Sequence, residues 1–369
     1  MKKIVLIVSG VALLALVGAW FLFRTTPAAD GPKGEAYVYA PVRAAAAYVT
    51  LVEKPDAARV LLLGDEAKTL TNLFARAGVK ALVTKDGDGF DALVIACGEM
   101  TKESCAKACS LVKDDGVVTW IMDVEGVSMD RFKAMLSSFD LAETHLWMPG
   151  VGRWLLTGRK TPQSVKLSEQ LELFARDGVQ ADLVAAKCAN LADVFASYAG
   201  TRADVLPAFE GAKGDAPVRP AYFLSKKVGP VGWIQADADV DADIRNTVLD
   251  EIHARQVVRR LVVEGDLLSD QATDKKGEEA ATERWAKACL RNPNDLLLLE
   301  RLDRLDRNAR GFLEVGKVLL AMKCYETMVI VRPNDAAAVH NFGQCLKKIG
   351  KVDLAEKILE RARTLSDRR

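Results

Sequence analysis

The sequence contains few histidines and almost no excess charge. Among its 369 residues there are three histidines, and 51 basic residues are balanced by 50 acidic ones, so the formal net charge is +1. No long basic tract occurs, and binding to a nucleic-acid backbone needs such concentrated positive charge. We therefore expect no nucleic-acid partner.

The cysteines also lack the spacing of a metal site. None of the seven forms a C-x-x-C pair, and no histidine has a paired ligand spacing with them. A zinc site uses several such ligands in close sequence spacing, so we expect no metal and interpret the cysteines as buried thiols. Cys105 and Cys109 could form a disulfide, but their i,i+4 spacing on a predicted helix disfavours it.

Only one apolar run is long enough to cross a membrane. It spans Ile4–Phe23, 20 positions, after Lys2-Lys3 and before Arg24. At about 1.5 Å per residue it measures about 30 Å, the thickness of a hydrocarbon core. A signal peptide usually has a shorter apolar part of about 7–15 residues, although the small residues of Thr26–Ala29 leave cleavage as the alternative. The sequence predicts a transmembrane anchor over residues 1–24.

The flanking charges predict the orientation of this anchor. The lysines favour an N-terminus inside the cell, and Trp20 and Phe21 lie where interfacial aromatic residues belong. We expect a single-pass protein of a bacterial-type inner (plasma) membrane, with residues 4–23 in the membrane and the C-terminal domains extracytoplasmic. The odd number of cysteines counts against an oxidising compartment.

A Pro-, Gly- and Ala-rich linker over residues 25–39 precedes a stretch in which strands and helices alternate. This alternation predicts a doubly wound α/β sheet over residues 40–163, closed by an antiparallel hairpin around Pro149–Gly152. The predicted strands are Val60–Leu63, Lys80–Thr84, Ala92–Ala96, Val117–Met122, Glu143–Trp147 and Trp154–Thr157. The predicted helices are Ala40–Glu53, Ala67–Ala77, Thr101–Gly116 and Ser128–Ser138.

From Val165 onward the sequence predicts almost only helix, apart from Ala216–Val228. We divide this part into a helical extension, residues 164–261, and a repeat region, residues 262–369. Arginines at 301, 304, 307 and 310 alternate with aspartates at 303 and 306, which predicts a solvated, salt-bridged helix face.

The repeat region shows a period of 34 residues. Small and large residues recur at this offset: those at 309, 312, 316, 321, 325 and 328 are followed by those at 343, 346, 350, 355, 359 and 362. An earlier partial unit ends at Pro293, and its junction with the next unit holds about six more residues than the period of 34. This period and pattern are those of tetratricopeptide helix pairs. We expect a protein-binding surface over residues 281–362, with core residues Trp285, Phe312, Tyr325 and Phe342.

Three motifs carry a resemblance to a known family. They are Phe90-Asp-Ala-Leu-Val-Ile-Ala-Cys-Gly-Glu99, His145-Leu-Trp-Met-Pro-Gly150 and Trp154-Leu-Leu-Thr-Gly-Arg-Lys160. With them, Pro41–Lys160 resembles the spermidine synthase branch of the methyltransferase-like fold. The resemblance implies a sheet with a closing antiparallel hairpin, and S-adenosylmethionine or its decarboxylated form as the ligand.

The sequence departs from this family where the family's chemistry lies. Gly64 matches the first glycine of the cofactor loop, but Glu66 stands where a later glycine is expected, and the acid that holds the ribose falls near Thr84. The two catalytic aspartates of the family align with Ala96 and Glu99, and an alanine cannot take a proton. Too few residues separate the second and third strands for the helix and strand that complete the adenine pocket.

Two functions follow from this reading. The first is a membrane-anchored interaction protein without a cofactor, built on a catalytically degenerate domain and binding proteins through its repeats. The second is an active aminopropyltransferase or methyltransferase, with Glu99 and Asp86 as candidate catalytic acids and Gly64 and Asp65 as candidate cofactor-binding residues. A nucleophilic role for Cys97 is a further alternative, disfavoured because no histidine is near in sequence.

Overall fold

The structure, a computed structural model, describes residues 45–64, 67–82, 87–96, 100–149, 152–179, 191–209, 234–235, 240–270, 272, 274–293, 295, 298 and 301–367. The predicted anchor and linker lie outside these residues. Among the helices of the described part, none combines the length and apolarity that crossing a bilayer requires. Residue contacts divide the chain into two units, the first ending at Arg304 and the second beginning at Leu305.

Strands and helices alternate through the first half of the described chain, which confirms an α/β fold. The strands are β1 (Arg59–Gly64), β2 (Lys80–Leu82), β3 (Phe90–Ala96), β4 (Val112–Asp123), β5 (Glu143–Trp147), β6 (Arg153–Arg159), β7 (Val165–Lys166), β8 (Tyr198–Thr201) and β9 (Ile234–Gln235).

Seven of the described strands form one mixed sheet in the order β2-β1-β3-β4-β6-β5-β8. Strands β1 to β4 pair in parallel, whereas β6 is antiparallel to both of its neighbours, β4 and β5. The pair of β5 and β6 is the hairpin that the sequence predicts. The apolar runs of β1 and β3 are buried along most of their length, as expected for parallel strands covered on both faces.

The helices of the first unit are α1 (residues 45–53), α2 (Ala67–Arg76), α3 (Lys102–Leu111), α4 (Met129–Ser138), α5 (Leu167–Phe174), α6 (Leu191–Phe195), α7 (Arg202–Val205), α8 (Ala242–Asp270) and α9 (Lys275–Arg291). Helices α2 and α3 pack against the parallel strands, and α8 packs against α9. Helix α8 is continuous through position 261, where the sequence places a domain boundary.

The predicted helix Thr101–Gly116 is too long. Helix α3 ends at Leu111, and β4 begins at Val112, five residues before the predicted start of that strand. The polar residues after Val112 resemble a helix end, but they form ion pairs at the amino end of the sheet. Lys113 Nζ lies 2.5 Å from Asp91 Oδ1, and Asp115 Oδ2 lies 2.8 Å from Lys54 Nζ.

After Val165 the described residues are mostly helical, as expected, but they also form short strands that the sequence does not predict. Residues Tyr198–Thr201 form β8, which pairs antiparallel with β5 and adds a seventh strand to the sheet. Strands β7 and β9 form a separate two-stranded parallel sheet. Each of these strands has two to four residues, which is too short to show a period of two in the sequence.

Buried ion pairs hold α8 within the first unit. Arg259 makes two contacts through its guanidinium group. Its Nε donates to Asp295 Oδ2 at 3.1 Å, and its Nη1 donates to the Met148 carbonyl at 2.8 Å. Both charged side chains are almost fully buried. Arg301, predicted on a solvated face, is also buried and forms a bidentate pair with Asp266 of α8.

The second unit contains helices that recur after 34 residues. Helix α10 (Leu302–Glu314) is followed by α11 (Val318–Val331), and α12 (Ala336–Lys348) by α13 (Val352–Asp367). The first helix of each pair starts at 302 and 336, and the second starts at 318 and 352, so both offsets equal 34. Helix α10 begins just before the boundary between the two units.

The turns inside the two helix pairs have the same geometry. Gly316 and Gly350 have φ values of 74° and 80°, a left-handed conformation that glycine adopts without strain. In each turn the next residue donates its N–H to a carbonyl five positions back, at 2.8 Å for Lys317 and 2.9 Å for Lys351. The repeat found in the sequence is thus also a repeat of backbone structure.

Candidate functional site

The carboxyl ends of β1 and β3 are where an open α/β sheet of this kind binds a ligand. The chain leaves β1 for β2 on one side and returns to β3 on the other, so these strands form a topological switch point. Gly64 and Ala96 are the last residues paired between them. Gly64 has a φ of 105°, so any residue with a Cβ atom would be strained there.

Most predicted ligand residues at this edge cannot be placed. Asp65, Asp86, Cys97 and Glu99 lie outside the described residues, so their roles stay predictions. Ala96 is described and is 2% exposed. Its side chain is a methyl group, so the end of β3 offers no base at this position.

The sequence did not predict a buried cluster of charges between α1 and the hairpin. Register pairs His145 with Thr157 and Glu143 with Arg159 across β5 and β6, so these four side chains share one face of the sheet. Glu53, the last residue of α1, lies against that face. His145, Arg159 and Glu53 are each no more than 2% exposed.

Both carboxylate oxygens of Glu53 have partners in this cluster. Oε1 lies 2.8 Å from Nδ1 of His145 and accepts a hydrogen bond from the Thr157 hydroxyl at 2.7 Å. Oε2 accepts from Nη2 of Arg159 at 3.0 Å, and the same guanidinium nitrogen contacts the Glu53 carbonyl. Trp147 Nε1 donates to the Thr157 hydroxyl at 3.1 Å, which extends the network along β5.

The charges of this cluster stabilise one another. Burial alone would raise the pKa of Glu53, but the charge and hydrogen bond of His145, with Arg159 and Thr157, lower that pKa to about 2. Burial alone would lower the pKa of His145, but Glu53 and Glu143 raise it to about 9. The Glu143 carboxylate lies 3.4 Å from His145 Nε2. At neutral pH the histidine is therefore a cation.

The charged groups of this arrangement are buried and do not reach solvent. Catalytic acids and bases must reach the proton that they transfer, but Glu53, His145 and Thr157 are all buried. The network joins α1 to β5 and β6, and the hydroxyls of Thr50 and Thr119, 2.8 Å apart, join the same helix to β4. We interpret the cluster as the attachment of α1 to the sheet.

Because the folded-state pKa of His145 is raised to about 9, its contribution to stability is complete below its unfolded pKa of 6.5. That contribution is lost as the pH rises through 9, by up to about 3 kcal/mol. The lowered pKa of Glu53 stabilises the folded protein above the unfolded pKa of 4.5, and this stabilisation is lost as the pH falls toward 2. We expect chemical denaturation to show declining stability between pH 6.5 and 9.

The variant His145→Gln should lose most of that alkaline decline, whereas His340→Gln, at an exposed histidine of α12, should keep it. An unchanged slope in His145→Gln would show that His145 is neutral in the folded protein.

The four predicted core residues of the repeat region are all buried, and they belong to different units. Trp285 on α9 lies in the first unit and donates to the Val262 carbonyl at 3.1 Å. Phe312, Tyr325 and Phe342 lie in the second unit and are 2–3% exposed.

Helix α12 has a polar face without acidic residues. Its exposed side chains are Ala337, His340, Gln344, Lys347 and Lys348, and its 13 residues include no aspartate or glutamate. Gln344 Nε2 lies 3.4 Å from His340 Nε2, one turn away. We name His340, Gln344, Lys347 and Lys348 the α12 face.

Comparison with known protein families, with characterised proteins and with solved structures finds no match for this chain. Among the described residues, no group of three or more histidine, cysteine, aspartate or glutamate side chains could hold a metal ion.

Proposed function

We propose that the chain is a membrane-anchored interaction protein. In this proposal its methyltransferase-like domain is a degenerate relative of the spermidine synthases, and its tetratricopeptide-like helices bind a protein partner. The anchor is the apolar run at residues 4–23, with the N-terminus inside and the C-terminal domains outside the inner membrane. A reporter fused at Arg369 and assayed on each side of the membrane tests this orientation.

The observation that carries the proposal is the 34-residue recurrence in the second unit. Helix starts, glycine turns and turn hydrogen bonds all repeat at that offset. Stacked helical repeats form extended surfaces that bind other proteins. The α12 face supplies exposed donors and positive charge on such a surface, and it is not used by contacts of the core.

The topology of the sheet supports the part of the proposal that concerns a degenerate methyltransferase-like domain. The closing hairpin of β5 and β6 agrees with the resemblance, and β1, β2 and β3 follow in the expected order. Helix α2 is the crossover between β1 and β2, but only seven residues separate β2 from β3, too few for a further helix and strand. Ala96 at the end of β3 carries no base, at a position where the resemblance implies one of the family's aspartates.

We expect the full chain, purified in detergent, to retain one specific partner from a membrane extract. The double variant Gln344→Ala/Lys347→Glu on the α12 face should weaken binding of that partner by at least about tenfold, a loss of about 1.4 kcal/mol. The matched control is Lys107→Glu, at an exposed position of α3 outside the repeat region, which should bind as the wild type does. Affinity is measured by surface capture of the purified partner.

Recovery of no specific partner, or equal losses of affinity in the α12 variant and the Lys107→Glu control, would contradict the interaction role. The transferase alternative is tested on the same preparation by calorimetry with S-adenosylmethionine and its decarboxylated form. We expect no heat of binding; micromolar binding of either compound would replace the proposal by an active transferase.

A further inference from the structure

Helix α13 repeats the position of α11, but one of its sides has no comparable cover. The two helices start 34 residues apart, and α12 packs against both of them. Among the described elements, α12 is also the main packing partner of α13. In a stacked repeat each inner helix is covered from two sides, so α13 keeps one side exposed.

Three apolar residues of α11 are buried, and their counterparts 34 positions later are more exposed. The buried residues are Met322, Tyr325 and Val329. Their counterparts in α13 are Glu356, Leu359 and Arg363, of which the two charged residues are exposed and the leucine is half-buried. A charged outer face of this kind favours water or a charged partner over a further repeat.

An open groove of about 710 Å³ runs along this side of α13. Its apolar part consists of Val352, Ala355 and Leu359, which are spaced to share one helix face. Val352 is 46% exposed. Covering such a strip removes apolar surface from water, which favours association.

Charges of both signs flank this apolar strip. Lys347, Lys357 and Arg363 supply the cations, and Glu356 and Glu360 supply the carboxylates. Arg363 pairs with Glu360 at 2.8 Å, but both side chains are exposed, so this pair stabilises the helix little. A strongly acidic or strongly basic ligand would meet like charges in the groove, whereas a partner that carries both signs can be complementary to it.

A second copy of α13 supplies both signs in the required order. In a two-fold contact, residue i of one copy faces residue j of the other, and j faces i. When the helices are antiparallel and the axis passes between Leu359 and Glu360, Glu356 and Arg363 lie equally far from the axis on its two sides. Glu356 of each copy then faces Arg363 of the other, and the two Leu359 side chains meet at the centre.

We propose that two copies of this chain associate through α13, packed antiparallel about a two-fold axis between Leu359 and Glu360. The groove of each copy is then filled by α13 of the other. One 16-residue helix per copy gives a contact at the low end of specific interfaces, so we expect a weak, reversible dimer. Self-association goes beyond the proposed function, and Glu356 and Arg363 lie outside the α12 face to which the partner is assigned.

The test is sedimentation equilibrium of the full chain in density-matched detergent, with no other protein added. The wild type should dimerise reversibly. Glu356→Arg and Arg363→Glu should each weaken the dimer by at least about tenfold, because like charges then face each other twice across the axis. An equimolar mixture of the two variants should associate about as tightly as the wild type, since opposite charges again face each other at both places. Glu314→Arg, at an exposed glutamate of α10, is the matched control and should dimerise as the wild type does.

Disulfide trapping tests the position of the axis. In the proposed contact the two copies of residue 360 lie beside the axis, whereas the two copies of residue 364 are about nine residues, or about 13.5 Å, apart along the helices. A disulfide needs Cα atoms within about 7 Å of each other. Oxidation with diamide should therefore link Glu360→Cys into a covalent dimer and leave Thr364→Cys as unlinked as the wild type.

The proposal is overturned if the wild type stays monomeric at about 100 μM, a concentration at which even a weak specific interface is populated. It is equally overturned if the mixed charge variants associate no better than either alone, or if both cysteine variants are linked to the same extent. A monomeric wild type whose captured partner is released by either charge reversal would assign the groove to that partner instead. Thermal melts show whether each variant remains folded.

Discussion

Replacing Glu53 by alanine should lower the free energy of unfolding by about 3–5 kcal/mol, the usual cost of removing one partner from a buried ion pair. The reason is the charge left behind: Arg159 would keep its positive charge in a buried site without the carboxylate that it contacts. His145 would lose the anion that contributes most to raising its pKa. Urea denaturation followed by tryptophan fluorescence measures the loss, because Trp147 belongs to the same network.

The control for this variant is Glu125→Ala, at an exposed glutamate, which should change the unfolding free energy by no more than about 0.5 kcal/mol. The triple variant Glu53→Leu/His145→Leu/Arg159→Leu removes every charge at the core of the cluster. It should recover part of the loss, since apolar replacement of a whole buried ion cluster is often tolerated. A Glu53→Ala variant as stable as the control would refute the attachment of α1 through this cluster.

Replacing Arg259 by alanine should have a comparable effect, again about 3–5 kcal/mol. It would remove the guanidinium that pairs with the buried Asp295 carboxylate and donates to the Met148 carbonyl. Since Arg259 lies on α8 and Met148 directly follows β5, we expect α8 to loosen from the sheet before the sheet itself unfolds. Limited proteolysis within α8, compared with the denaturation midpoint, separates these two events.

Arg284→Ala provides a matched control for the Arg259 variant. Arg284 pairs with Glu264 of α8 at 3.3 Å, but both side chains are about 40% exposed. Such a pair contributes at most about 1 kcal/mol, so its removal should leave proteolysis of α8 unchanged. If α8 were cleaved equally fast in both variants, the buried Arg259–Asp295 pair would contribute no more than an exposed pair to holding α8 in place.

The elements that the sequence predicted well are those with a strong local signal. Strand β5 has the predicted bounds, and β1 and β3 extend the predicted runs by one or two residues. The 34-residue pattern also includes Gly316 and Gly350, which the structure places in the turns inside the two helix pairs. Strand β8 was missed because its sequence, Tyr-Ala-Gly-Thr, is short and its partner β5 lies far back in the chain.

The buried cluster could not be predicted because its contacts are distant in sequence. Glu53 is 92 residues from His145 and 106 from Arg159. In the sequence, Glu53 and Arg159 each resemble an ordinary surface charge. A single acid at the end of the otherwise uncharged helix 45–53 was the only signal. Arg301 was misjudged for the same reason, since nothing near it in sequence indicates the Asp266 pair.

Two ion pairs stabilise the sheet: Glu53 with Arg159, and Asp91 with Lys113. Both lie away from Gly64 and Ala96, the last residues paired between β1 and β3. The residues that stabilise the sheet are thus different from those at the edge where open α/β sheets bind ligands. Substitutions at that edge can therefore accumulate without removing these ion pairs from the sheet.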